Sequence, residues 1–225
     1  MKIKRISSTI FLALILSFLL FSPALADKKG GKNYKVTITN LTKKQVLTPP
    51  LLVSHRGSYE LFTLAEPVGA ELAALAEGGD TQPLAALLGT RDDVLDVVAS
   101  GVPILPGTSI TLNITGKGRF NSLSLASMLA TSNDAFFALN GVKFPHHGNK
   151  SLVAVAYDAG SEANTEVCTD IPGPPCAADS GNQRVTAGAE GFVHIHNGIQ
   201  GTGDLNAANM DWHNPVAKVV IENVK

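Results

Sequence analysis

Apolar and polar residues alternate along Tyr34-Lys-Val-Thr-Ile-Thr39, with β-branched side chains at most positions, which predicts a half-buried strand. A second extended segment runs from Val46 to His55, and its Pro49-Pro50 pair points to a sheet edge or a bulge, because proline cannot donate to a ladder. The pattern then changes. Ala70 to Glu77 and Pro83 to Leu88 are Ala/Leu-rich pieces separated by Gly78-Gly79-Asp80, and they predict two short helices packed against one end of a sandwich.

Strand spacing returns afterwards. Leu95–Ala99, Ser109–Thr115, Leu123–Leu129, Ala135–Leu139, Leu152–Tyr157, Gly191–His196 and Val216–Ile221 each have ordinary strand length. Pro106-Gly107, Gly116-Lys-Gly118, Asn140-Gly141 and Gly148-Asn149 break the chain between them. Many short strands with turns and few helices predict an all-β fold, an antiparallel β-sandwich with a short helical insertion. The stretch from Gly160 to Glu190 has almost no periodicity, and a loop of that length in a compact domain is functional or tied down.

The first residues are read differently. Lys2, Lys4 and Arg5 precede an apolar run from Ile10 to Phe21, and Ala24-Leu25-Ala26 forms an A-x-A site, so residues 1–26 have the anatomy of a secretory signal cleaved before Asp27. Residues 27–33, rich in Lys and Gly, predict a disordered tail, and residues 34–225 a single β-sandwich domain. No later segment is apolar for long enough to span a bilayer, so the mature protein is expected in a secreted, periplasmic or extracellular setting without a transmembrane segment.

The formal net charge of the whole chain is −1, and it becomes more acidic once the signal is removed. That balance, without a basic stripe, argues against nucleic acid as a partner. Cys168 and Cys176 are the two cysteines, and in an oxidising compartment this close pair predicts a disulfide pinning the long loop.

Asp158 and Glu162 stand four residues apart across Gly160, where the apolar run from Ser151 empties into a loop. They could turn two carboxylates onto one hard cation or form a solvated acidic turn. Asp134 lies in a second turn of the same kind, Ser132-Asn133-Asp134-Ala-Phe-Phe137. If the two turns meet, three carboxylates converge and their repulsion calls for a divalent ion. His194 and His196, at i and i+2 of a strand, could present two imidazoles to zinc, or one could be a hydrogen-bonded core residue. His146-His147 follows Pro145 in a loop and reads as solvated. Asp204, Asn206, Asn209 and Asp211 miss EF-hand spacing and read as turn caps, with Trp212 packed over their loop. The chain holds no Gly-x-Ser-x-Gly elbow, no His-Glu-x-x-His and no phosphate-cradling glycine motif, so an enzyme is the less favoured expectation.

Four blocks together resemble the spondin N-terminal domain family in the form carried by secreted bacterial proteins: Leu123–Phe137, Ala156–Asn164, Glu190–Gly198 and Asp211–Val216. The resemblance implies a C2-like β-sandwich whose loops at one end bind Ca²⁺, with Asp134, Asp158 and Glu162 as ligands. Glu162 stands where some members have Asp, which keeps the charge on a longer arm. Animal members are matrix and cell-adhesion proteins, so the implied function is a calcium-binding module for extracellular recognition or adhesion, with an extracellular protein or glycan as partner. Two alternatives remain beside it: a metal-dependent (zinc) enzyme using His194 and His196, and a metal-free structural envelope protein.

Overall fold

A computed structural model describes residues 30–224. The expected signal, residues 1–26, lies outside the described residues. Strands β1 (Lys32–Asn40), β2 (Leu51–His55), β3 (Val94–Ala99), β4 (Ser109–Gly116), β5 (Ser122–Met128), β6 (Ala135–Lys143), β7 (Asn149–Asp158), β8 (His194–Ile195) and β9 (Ala217–Val224) carry the fold. Helices α1 (Ala70–Gly78), α2 (Gln82–Gly89) and the short α3 (Ala207–Met210) complete it. The fold is all-β and antiparallel, with a short helical insertion. Among the described residues, no helix is long and apolar enough to cross a membrane.

β7 organises the assembly because it serves two ladders. Its first part, Asn149–Ala154, pairs with β9 and so joins β9, β1 and β4. Its last part, Val155–Asp158, pairs with β6 and joins β6, β5, β2 and β3. β8 adds to the end of β7 through Tyr157 opposite Ile195 and Asp158 opposite His194. The two free edges, β3 and β4, approach each other where the Thr115 N–H donates to Asp96 Oδ2 at 2.9 Å, so the sheets come close to a closed barrel.

Alternation explains the main core. Tyr34, Val36 and Ile38 point inward from β1, and Ala217, Val219 and Ile221 do the same from β9. Each Val or Ile buried this way contributes about 1.5–3 kcal/mol. β2 and β5 are buried on both faces, because α1 and α2 cover their outer side. Leu72, Leu75, Leu84 and Leu88 of the helices meet Leu51, Val53 and Phe136 in a second apolar cluster. The helical insertion therefore lies on a sheet face, where the pattern had suggested an end of the sandwich.

Other expectations shift for identifiable reasons. Lys32 and Asn33, expected in the tail, already belong to β1, paired with Gly116 and Thr115 of β4. β2 is an interior strand between β3 and β5, and Pro49-Pro50 precede its first residue, where no ladder donor is needed. Asn140-Gly141 sits inside β6 at a shift of register against Leu123 and Leu125. Its amide explains why the strand continues. Asn140 accepts from the Leu61 N–H at 2.9 Å and donates to the Phe62 carbonyl at 2.8 Å, anchoring the segment before α1. The expected strand Gly191–His196 contracts to β8, since Val193 turns its backbone the other way, to Ala65 and Glu66.

Candidate metal centre

Three segments converge at the end of β7. The turn before β6 is built by Ser132, whose hydroxyl donates to the Leu129 carbonyl and accepts from the Ala135 N–H. This holds Asn133 and Asp134 against the loop that follows β7. Asn133 bonds Thr165 Oγ1 and the Glu166 N–H, while Asp134 Oδ2 accepts from the N–H groups of Ser161 at 2.8 Å and Glu162 at 3.0 Å. The third segment, Glu190–His194, packs on the loop after β7 at Gly160, whose φ of 64° suits glycine. The Gly160 Cα lies so close to Phe192 that a Cβ there would strike the Phe192 carbonyl oxygen.

The long loop is tied at its far end. A disulfide joins Cys168 to Cys176 with Cα atoms 4.7 Å apart, and the Thr131 hydroxyl donates to the Pro174 carbonyl at 2.5 Å. Glu166 adds an internal latch. Its buried carboxylate receives the N–H groups of Gln200, Gly201 and Thr202.

Asp134, Asp158 and Glu162 are all buried. Asp134 Oδ1 has no hydrogen-bond partner. Burial, and then the charge of Asp158, push the Asp134 carboxyl up to about 7, against the pull of the Ser161 and Glu162 donors. Glu162 is pushed up to about 8, by burial first and then by Glu77 and Asp134, with Arg184 acting the other way. Its side chain lines a depression shared with Glu77, Asp170 and Arg184. Asp134 thus feels the like charge of Asp158 and adds to the charge acting on Glu162, a repulsion that a divalent cation offsets. An unpartnered buried carboxylate oxygen beside a second carboxylate fits a hard ion such as calcium.

On its other side Asp158 faces two histidines. Its Oδ1 accepts the Gly160 N–H at 2.7 Å and lies 3.6 Å from His194 Nε2; its Oδ2 accepts from Asn164 at 2.7 Å and lies 3.7 Å from His196 Nε2. Backbone groups fix the two rings in opposite tautomers when neutral. His196 Nδ1 accepts the Gly198 N–H at 2.9 Å, so its proton is on Nε2, aimed at Asp158. His194 Nδ1 donates to the Ile195 carbonyl at 3.0 Å, so its Nε2 carries a lone pair. Burial holds the His196 pKa below its ordinary value, opposed by the Asp158 charge. Trp212 packs against the His196 ring, with ring centres 4.9 Å apart.

Among the described residues, one trio brings metal-ligating atoms within 4.8 Å of one another: Asp158, Glu190 and His194. No protein-family model and no curated protein matches this chain.

The structure therefore gathers Asp134, Asp158, His194 and His196 around one strand end, while the Glu162 carboxylate turns toward Glu77. Glu190 and Asn164 were not among the expected site residues, although both lie inside the blocks singled out in the sequence. Glu190 is four residues before His194, and the intervening Gly191, at φ 81°, helps bring it back. A further pair, His55 Nε2 with Ser124 Oγ at 2.8 Å, has the spacing of a base and nucleophile. Both residues are fully buried, and the Ser124 hydroxyl also accepts the Gly141 N–H, so the pair braces the irregularity in β6.

Proposed function

We propose that this chain is an exported, spondin-like β-sandwich that binds calcium at the end of β7 and acts as a module for extracellular recognition or adhesion. One observation carries the reading: the Asp134 carboxylate reaches the loop after β7 and keeps Oδ1 buried and unpartnered beside Asp158. Asp134 and Asp158 would hold the ion, and Glu162, expected as a third ligand, would have to swing its carboxylate from Glu77 back to the ion to join them. Calcium supplies charge neutralisation there, drawing together segments that belong to three different parts of the chain. The disulfide supports exposure to an oxidising compartment. Phe192, 42% exposed and ring to ring with His194, offers an apolar contact at the rim of the same end.

The test is retention of matrix proteins and surface glycans on the immobilised protein, in calcium and in EDTA. The reading expects retention that chelator and Asp134→Asn both remove. Equal retention in calcium, in EDTA and with the variant would overturn it.

A further inference from the structure

His194 Nε2 presents a lone pair to two carboxylates, 3.6 Å from Asp158 Oδ1 and 4.0 Å from Glu190 Oε2. With His194 neutral, three electron-rich atoms face one another with no hydrogen between them, a repulsion that a bound cation relieves. The nitrogen is buried and has no hydrogen-bond partner. Ligands about 2.0–2.2 Å from a tetrahedral ion stand about 3.3–3.6 Å apart, so the trio needs only a small contraction to close on a metal.

We propose that Asp158, Glu190 and His194 form a second cation site, selective for a borderline transition metal of the zinc class and distinct from the calcium site around Asp134. The donor chemistry sets the class, because an imidazole nitrogen with two carboxylate oxygens suits zinc or cobalt, whereas calcium takes oxygen alone. Each ligand is held from behind. The Ile195 carbonyl orients the His194 ring, Asn164 bonds Asp158 and approaches Glu190 at 3.5 Å, and the Gly160 N–H fixes Asp158 Oδ1. Such supporting bonds are what set ligand orientation in metal sites.

A second, independent observation points the same way. His196 is more than nine-tenths buried, and its unpartnered Nε2 aims at the other oxygen of Asp158, 3.7 Å away. With its proton on that nitrogen, His196 points an N–H at Asp158 from just beyond hydrogen-bond distance, and contraction around a metal would close that bond. His196 is a positioning residue, and a zinc site built from the His194–His196 pair is not the arrangement that the backbone prepares. The side chains of His194 and Glu190 remain 24% and 34% exposed, so a bound metal keeps a position open to water or to a ligand from solution.

This site shares Asp158 with the calcium reading and is otherwise independent of it. The test is titration of the untagged, chelator-treated protein with Co²⁺ in excess Ca²⁺, read by the visible absorption of protein-bound cobalt. One saturable equivalent is expected, displaced by Zn²⁺. His194→Ala and Glu190→Gln should abolish the band while their melting remains cooperative. His196→Gln should weaken binding about 10–100-fold, as loss of a supporting partner does. Asp134→Asn should retain the band, which separates failure of this site from failure of the calcium reading. No saturable band, or one that survives His194→Ala, would overturn the proposal and leave His194 as an imidazolium between its two carboxylates.

Discussion

Asp134 Oδ2 accepts the backbone N–H of Glu162 at 3.0 Å, tying the turn before β6 to the loop after β7. The same carboxylate leaves Oδ1 buried without a partner, so the bond that shapes the site also concentrates charge in it. Stability without metal should therefore depend on pH in a defined direction.

Asp134 and Glu162, whose carboxyls are raised to about 7 and about 8, favour the protonated folded state. Their contribution is complete below their ordinary values and is lost as pH rises through the folded ones. His196 acts oppositely: its contribution is present above its ordinary value of 6.5 and fades as pH falls below it. The informative window is therefore from 6.5 to beyond 8. In EDTA the melting temperature should fall across it, and calcium should flatten the fall. A flat profile in EDTA would contradict the repulsion among these carboxylates.

Gly160→Ala tests the contact between the loop after β7 and the segment that carries Glu190 and His194. The added Cβ meets Phe192 backbone atoms, with its nitrogen only 2.7 Å away, and the residue keeps positive φ. A loss of about 1–3 kcal/mol in chemical denaturation is expected, together with weaker cobalt binding. Wild-type stability would mean that the two segments are not packed as described.

Glu166→Gln should loosen the latch onto Gln200, Gly201 and Thr202. Three backbone donors lose their carboxylate, and charge-assisted bonds of this kind contribute about 1.5–3 kcal/mol each at most. Hydrogen exchange should rise at those three amides first. Unchanged protection would assign their shielding to something other than Glu166.

Replacing Cys168 and Cys176 by serine opens a bridge of sequence separation 8, for which chain entropy predicts a loss of about 2–3 kcal/mol. Urea denaturation of the double variant measures it. An unchanged midpoint would show that the Thr131 to Pro174 contact and its neighbours hold the loop alone.

Much of this was legible in local pattern. β1, β4 and β7 alternate visibly because one face meets the core and the other meets solvent, and the two short helices announce themselves through Ala and Leu. Asn140-Gly141 misled because a turn dipeptide and a strand irregularity both use a glycine at positive φ, and the anchoring partners, Leu61 and Phe62, are remote in sequence. Asp134, Asp158 and His194 could be singled out as chemistry-bearing residues at strand ends. Glu190 could not, since its position depends on the turn at Gly191 and on the pairing of Asp158 with His194. The opposite tautomers of His194 and His196 were also hidden, being set by the Ile195 carbonyl and the Gly198 N–H.

The central claim is that the buried carboxylates at the end of β7 hold calcium, and thermal unfolding in calcium and in EDTA tests it most directly. With calcium at 100 times its dissociation constant, binding adds about 2.7 kcal/mol, which raises the melting temperature of a chain this size by about 5–10 °C. Asp134→Asn should remove the rise and leave the metal-free protein at least as stable above pH 7, since it deletes a buried charge set beside Asp158. Identical melting of the wild-type protein in calcium and in EDTA would contradict the account.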